Sequence, residues 1–383
     1  MQNVYTEKNE RSIAENNGFV NPEEQHFLFP CFLVFSRFLC PSPWESALFD
    51  AILGGGMAVI GHASVLQFLE NARARERVSH AYLFVGPLGI GKSTIAAQFV
   101  GGLLGQTVVQ TPEDPWAGLR SYPDLLLVER EEDGKKEKQK KNISIEQIHE
   151  VRERLSRGSF LSSWKIAVIS EADTLSISAA NALLKTLEEP SGKTLIILLA
   201  EKVGGVPATV RSRCQVIRCG LVQEREIRDG LLQRSATAEQ AEEFARRAAG
   251  RPGNALRLLA DPAHAAEEEE RVAAFIAMLG APVWQRMQFA EKAVPGKDAI
   301  DAVLETGTLL RLWENVLRDG MMVAAGEPGL AHWFSFRDRI AQWASKKTVA
   351  GIVQSLHAVR ESRAALRENV APRLALEHVL LHT

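Results

Sequence analysis

One glycine-rich segment, residues 86–93, limits what this chain of 383 residues can fold into more than any other stretch. It reads Gly-Pro-Leu-Gly-Ile-Gly-Lys-Ser and matches G-x-x-x-x-G-K-[ST] at every fixed position. The apolar run at 81–85 predicts a strand before this phosphate loop, and residues 94–100 are typical of a helix after it. Further apolar runs alternate with helical stretches, at 125–128, 166–169, 195–199 and 216–217. This alternation predicts an α/β fold with a parallel sheet flanked by helices.

The phosphate loop also predicts how a nucleotide would be held. Glycines let the backbone wrap a phosphate, so that N–H groups and the positive end of the following helix face the anion. Lys92 is expected to reach the outer phosphates, and the Ser93 hydroxyl to ligate Mg²⁺. The alternative is a glycine turn without a nucleotide. The residues expected to bind the cofactor are Gly86, Gly89, Gly91, Lys92, Ser93 and Thr94.

The strand predicted at 166–169 runs into Ser170 and Glu171. ATP-hydrolysing proteins of this kind carry Asp and then Glu here, the first to hold Mg²⁺ and the second to polarise the attacking water. A serine hydroxyl is a poorer ligand for a divalent cation than a carboxylate. We expect Glu171 to orient water and ATP hydrolysis by the chain itself to be weak or absent. The alternative is that Glu171 is an ordinary solvated residue at a strand end.

Two later blocks are more specific than the loop. Residues 181–190 read Asn-Ala-Leu-Leu-Lys-Thr-Leu-Glu-Glu-Pro, and residues 212–214 read Ser-Arg-Cys. The stretches 122–124, Tyr-Pro-Asp, and 142–148, Asn-Ile-Ser-Ile-Glu-Gln-Ile, add to the same pattern. On these blocks the chain, from about Val59 to its end, resembles the AAA+ subunits of the bacterial sliding-clamp loader, above all those of the delta-prime type of DNA polymerase III.

The resemblance implies three domains. An AAA+ nucleotide-binding domain is expected over 57–220, a helical lid over 221–262, and an all-α collar domain, where subunits of a ring associate, over 263–383. Residues 1–56 do not fit the pattern, so we expect a disordered or mis-assigned extension with Met57 as the natural start. The alternative is an extension that is translated.

The resemblance also implies a function for Arg213. In this family the arginine of the Ser-Arg-Cys block reaches the ATP of a neighbouring ATPase subunit as an arginine finger in trans, a task that suits a planar, permanently charged group. From the residues alone, Arg213 is a surface ion-pair residue beside Arg211 and Arg218. The implied partners are delta-type and gamma/tau-type subunits in a hetero-oligomeric ring, the sliding clamp, and primed DNA reached through the complex. The implied setting is DNA replication in the cytoplasm.

Departures from the ATP-hydrolysing gamma-type subunits point to ATP and Mg²⁺ bound without turnover. Those subunits carry four zinc-binding cysteines between the loop and the acidic strand, whereas none of the four cysteines here lies between Ser93 and Ser170. We therefore expect no zinc. Glu201 stands where the first sensor of the family has a threonine, and Arg251 lies two positions early for the second sensor, Gly-x-x-Arg.

Composition restricts the other function classes. A formal net charge of −2 gives no electrostatic footprint for independent DNA binding. The apolar run at 27–40 is shorter than the roughly 20 residues needed to span a bilayer, so no membrane partner is expected. Two alternatives stay open: an ATP-hydrolysing gamma/tau-type subunit or other AAA+ motor, and a nucleotide-insensitive scaffold.

Overall fold

The computed structural model describes residues 59–383 apart from 107, 109–110, 112–113, 134–137, 140–141, 163, 295–298 and 369. The predictions for residues 1–56 and for a start at Met57 fall outside the described residues.

A five-stranded parallel sheet forms the centre of the described chain. The described residues contain these five strands and two short ones outside the sheet: β1 (Ala81–Val85), β2 (Leu125–Val128), β3 (Glu132–Asp133), β4 (Lys138–Gln139), β5 (Lys165–Ile169), β6 (Thr194–Ala200) and β7 (Gln215–Arg218). In space the sheet runs β2-β5-β6-β1-β7, while β3 and β4 form a separate antiparallel pair. The sheet strands coincide with the predicted apolar runs to within one residue, because strands of a parallel sheet are covered on both faces.

Five helices cover this sheet. They are α1 (Ala63–Ala74), α2 (Lys92–Leu104), α3 (Ile145–Ser156), α4 (Ile177–Glu188) and α5 (Ala208–Arg211). Side chains that cap the backbone define two of the helix starts, since Ser144 accepts from the N–H of Gln147 before α3 and Ser176 accepts from Ala179 before α4. Alternate strand residues divide between two cores, Tyr82 and Phe84 with one and Leu83 with the other.

Three small helices follow the sheet: α6 (Glu224–Leu232), α7 (Ala238–Arg247) and α8 (Pro252–Ala260). We refer to them as the lid. Their buried side chains Ile227, Phe244 and Leu258 belong to the same hydrophobic cluster as Phe84 and Ile197 of the sheet. The lid therefore shares one hydrophobic core with the sheet.

The remainder of the described chain is helical, and no strand occurs among its described residues from 262 onward. Its helices are α9 (Pro262–Met278), α10 (Val283–Ala293), α11 (Ala299–Ala324), α12 (Arg337–Ala344), α13 (Val349–Arg367) and α14 (Pro372–Leu381). They share their own hydrophobic core, in which the rings of Phe275 and Trp313 stack with centroids 4.4 Å apart. The predicted fold class, a parallel α/β sheet with a helical lid and an all-α C-terminal region, is confirmed.

In the described part of the chain, no helix combines the length and the apolar character that crossing a bilayer requires.

Candidate functional site

The phosphate loop connects the carboxyl end of β1 to the first residue of α2, Lys92. Gly89 and Gly91 have φ values of +78° and +97°, a backbone conformation that residues with a side chain rarely adopt. At Gly86 the limit is space, because a Cβ atom there would lie 2.4 Å from the carbonyl oxygen of Cys219. The loop can therefore bring its backbone close to an anion, as phosphate binding requires.

Lys92 lies inside the loop that precedes it. Its Nζ donates to the carbonyl oxygens of Gly86 at 2.6 Å and of Pro87 at 3.0 Å. Burial lowers the pKa of Lys92, while the nearby Glu201, Cys219 and Asp173 oppose this effect. A half-buried ammonium that donates to two carbonyl oxygens of its own loop is suited to pairing with a more strongly negative group, such as a phosphate.

The two other predicted cofactor residues follow directly. Ser93 and Thr94 lie in the first turn of α2, half-buried, next to Lys92. The Ser93 hydroxyl is thus at the loop, where the sequence predicts a Mg²⁺ ligand, and the residues present fit a nucleotide with its cation. Among the described residues, no group of three or more His, Cys, Asp or Glu side chains is arranged to hold a metal ion by itself.

Two carboxylates outside the predicted cofactor-binding residues, Asp173 and Glu201, act electrostatically on Lys92. Asp173 lies in a 3-10 turn (Ala172–Thr174) after β5, and Glu201 immediately follows β6. Burial raises the pKa of Asp173, and the charge of Glu201 adds to this rise. The signal that predicts them is topological, since carboxyl ends of neighbouring parallel strands meet at one edge of the sheet.

Glu171 lies differently from what its predicted role requires. It is exposed, adopts φ +53°, and its Oε1 accepts from Nη2 of Arg130 at 3.2 Å. Glu171 is also absent from the charges that act on Lys92, whereas Asp173 is among them. This geometry matches the alternative, a solvated acidic residue at a strand end, more closely than a residue aimed at the loop. The role of Glu171 in orienting water stays a prediction.

The lid contacts the phosphate loop at the start of α8. The backbone N–H of Gly253 donates to the carbonyl oxygen of Gly89 at 2.8 Å. Arg251, at the N-cap of this helix, is half-buried, and its pKa is lowered by burial and by the charge of Arg363. The backbone of Gly253 thus contacts the loop, and the altered second sensor stays a prediction.

Arg213 lies in the turn between α5 and β7. Its Nη1 donates to the carbonyl oxygen of Thr209 at 2.9 Å, and its Nη2 lies 2.6 Å from Oε1 of Glu188. About a third of the side chain is exposed, at 36%. The neighbouring Cys214 donates its Sγ–H to the carbonyl of Val210, and burial raises the pKa of this thiol to about 12. A thiol with that pKa stays protonated, so Cys214 supports the turn rather than acting as a nucleophile.

Arg213 lies at the end of the sheet where the parallel strands begin, and the phosphate loop lies at the opposite end, where they finish. In the pairing of β1 with β7, Tyr82 is opposite Gln215 and Val85 is opposite Arg218. Arg213 thus precedes the amino end of β7, while the loop follows the carboxyl end of the parallel β1. The four paired residues of β1 and β7, about 10 Å of strand, lie between the two levels.

Residues 61–221 match the family described as DNA polymerase III, delta subunit. The chain is similar to the DNA polymerase III subunit delta' of Bacillus subtilis (strain 168), with 31% identity over 185 residues, 46% of this chain and 53% of that protein. It is also similar to the subunit tau of the same organism, with 31% identity over 163 residues, 41% of this chain and 27% of that protein. The chain thus spans about half the length of the delta' relative and about a quarter of the tau relative.

Among solved structures, a DNA polymerase III gamma subunit-related protein of Thermotoga maritima aligns with 82% of this chain and 98% of its own length. The identity is 17% and the TM-score 0.40, so the assignment rests on the sequence relatives instead. The match of 61–221 includes the phosphate loop, the 181–190 helix and the Ser-Arg-Cys turn. The predicted resemblance to delta-prime-type clamp-loader subunits of DNA polymerase III is confirmed for residues 61–221, the part of the chain that matches the family.

Proposed function

We propose that this chain is a clamp-loader subunit that holds ATP without efficient turnover and presents Arg213 to the ATP of a neighbouring ATPase subunit. The position of Arg213 is the observation that carries this proposal. It directly precedes the amino end of β7, an outer strand of the sheet. The chain's own phosphate loop lies at the carboxyl ends of the strands. A guanidinium placed there acts on a nucleotide held by another subunit rather than on its own.

Nucleotide binding at the phosphate loop forms the second part of the proposal. Bound ATP with Mg²⁺ would place a polyanion against the loop N–H groups and Lys92, with the Ser93 hydroxyl toward the cation. The charges of Asp173 and Glu201 act on the same ammonium, but Ser170 stands where a carboxylate would hold the metal. These features support a site that binds nucleotide better than it cleaves it.

The proposed clamp-loader function implies specific partners. Subunits of the delta and gamma/tau types would complete a hetero-oligomeric ring, and the ring would place the sliding clamp on primed DNA during replication. The C-terminal helices, with a core of their own, would supply contacts between subunits.

Steady-state ATP hydrolysis by the reconstituted loader, with clamp and primed DNA, tests the proposal. Arg213→Ala is compared with Arg218→Ala, which removes the same charge at the exposed far end of β7. Because arginine fingers contribute about three to five decades in rate, turnover should fall at least tenfold for Arg213→Ala only. Equal rates for both variants would contradict the finger. Turnover by the isolated chain that Lys92→Ala abolishes would favour an independent ATPase motor.

A further inference from the structure

The guanidinium of Arg213 is held by a residue from a different part of the chain. Glu188 is the last residue of α4, and its Oε1 lies 2.6 Å from Nη2 of Arg213. The Glu188 side chain is 49% exposed, so the contact forms at the surface beside the edge of the sheet. Helix α4 also packs against α5, which leads into the Ser-Arg-Cys turn.

The carboxylate of Glu188 stands where helix electrostatics disfavour it. The C-terminal end of a helix carries a partial negative charge, so cations are preferred in its last turn. Here α4 ends in Glu188, and Glu189 follows as its C-cap. A lone surface ion pair contributes about 0–1 kcal/mol, which is little reason to place a carboxylate at this end of a helix. A task other than stability is therefore the better explanation for Glu188.

The contacts of Arg213 fix the plane of its guanidinium. Thr209 and Ser212 accept from Nη1 at 2.9 Å and 3.3 Å, while Glu188 holds Nη2. Nη1 thus donates two hydrogen bonds and Nη2 forms an ion pair, so both terminal nitrogens of Arg213 are held. A finger held in this way loses less conformational freedom when it meets a phosphoryl group.

We propose that Glu188 is a positioning residue that orients Arg213 toward the ATP of the neighbouring subunit. The inference rests on the proposed function, because it requires that Arg213 acts in trans. Glu188 contacts no nucleotide itself; it acts only through the guanidinium. Its effect therefore belongs to turnover by the ring and disappears when the arginine is absent.

A double-mutant cycle in the reconstituted loader tests this role, with kcat and KM for ATP measured in the presence of clamp and primed DNA. Glu188→Ala should lower kcat about tenfold with KM unchanged, since small misplacements of a reacting group cost one to two decades. In the Arg213→Ala background the same substitution should change kcat by less than about twofold, because the group it positions is gone.

Two matched variants separate positioning from a structural effect. Glu188→Gln keeps the length of the side chain but removes the charge that pairs with Nη2, so it should lower kcat nearly as much as Glu188→Ala. Glu189→Ala removes an identical charge one residue further along at an exposed position, and it should behave as wild type. The urea midpoint of the isolated chain should be the same for all three glutamate variants and wild type.

The other outcomes show whether the role of Glu188 or the role of Arg213 is wrong. If Glu188→Ala raises kcat, leaves it unchanged, or lowers it equally with and without Arg213, Glu188 is not a positioning residue. A loss shared by Glu189→Ala would also overturn the inference. If Arg213→Ala itself leaves turnover unchanged, Arg213 is not an arginine finger, and the positioning role of Glu188 is rejected as well. A drop for Arg213→Ala but not for Glu188→Ala would leave the finger intact and reject only the second claim.

Discussion

The backbone N–H of Gly253 donates to the carbonyl oxygen of Gly89 at 2.8 Å, so the first turn of the lid helix α8 rests directly on the phosphate loop. A Cβ atom on Gly253 would lie 2.8 Å from the Gly89 oxygen, and one on Gly89 would lie 2.5 Å from Oδ1 of Asn254. The absence of side chains at both positions allows this close approach. The position of the lid is therefore coupled to the conformation of the nucleotide-binding loop.

Gly253→Ala should destabilise the chain by about 1–2 kcal/mol, because backbone atoms that approach too closely have to move. A loss of stability would be informative, because a Gly to Ala substitution within a helix ordinarily raises the free energy of unfolding by about 1 kcal/mol. Gly307→Ala in α11 is the matched control, because nothing lies within 4 Å of a Cβ there and stability should rise. Urea unfolding of both variants measures the difference. Equal gains in stability would show that the lid does not depend on the contact with Gly89.

Lys92→Ala should weaken ATP binding by about ten- to a hundredfold, the effect of losing a charge-assisted hydrogen bond of about 1.5–3 kcal/mol. Calorimetric titration of the isolated chain with ATP and Mg²⁺ measures this change. Lys202→Ala removes the same charge from an exposed neighbour of Glu201 and should leave the affinity unchanged. Unaltered binding by the Lys92 variant would place the nucleotide elsewhere, and no binding by wild type would support the scaffold alternative.

Asp124 holds the segment between α3 and β5. Its buried carboxylate accepts from the backbone N–H groups of Phe160, Leu161 and Ser162 at 2.5–2.8 Å. Asp124→Ala leaves these three donors without their acceptor and should cost about 2–4 kcal/mol. Asp338→Ala, at a side chain that is 95% exposed, should change stability by less than about 0.5 kcal/mol. Urea unfolding at pH 7 compares the two, and equal costs would contradict the role of Asp124.

The same carboxylate predicts a pH dependence. Burial alone raises the pKa of Asp124, but the hydrogen bonds from residues 160–162 outweigh it, and the pKa lies below its ordinary value of 3.8. A depressed pKa means that the unfolded state binds the proton more readily, so this group stabilises the fold above pH 3.8 and ceases to do so as the pH falls through its lower, native pKa. The stability difference between wild type and Asp124→Asn should therefore shrink below pH 3.8. A difference that stays constant with pH would contradict this account.

Much of the fold follows from local sequence patterns. Strands β1, β5 and β6 were predictable because each is a short apolar run covered on both faces. The phosphate loop was predictable because its glycines and Lys92 have fixed spacing between a strand and a helix. Such signals lie within about ten neighbouring residues, where the side-chain pattern and the backbone conformation are directly linked.

The parts that escaped prediction depend on contacts between distant segments. Asp173 and Glu201 influence Lys92 electrostatically because β5, β6 and β1 are neighbours in the sheet. Gly253 reaches Gly89 because the lid folds back over the loop. Strand order and lid packing arise from the whole core, so no local pattern reports them.

The central claim is that Arg213 accelerates cleavage of ATP in a neighbouring subunit. Single-turnover hydrolysis in the reconstituted loader, loaded with radiolabelled ATP and mixed with clamp and primed DNA, tests it most directly because it isolates the cleavage step. Arg213→Ala should lower the cleavage rate at least a hundredfold, while the affinity of the ring for ATP and the rate of Arg218→Ala stay as in wild type. A cleavage rate for Arg213→Ala equal to wild type would contradict it.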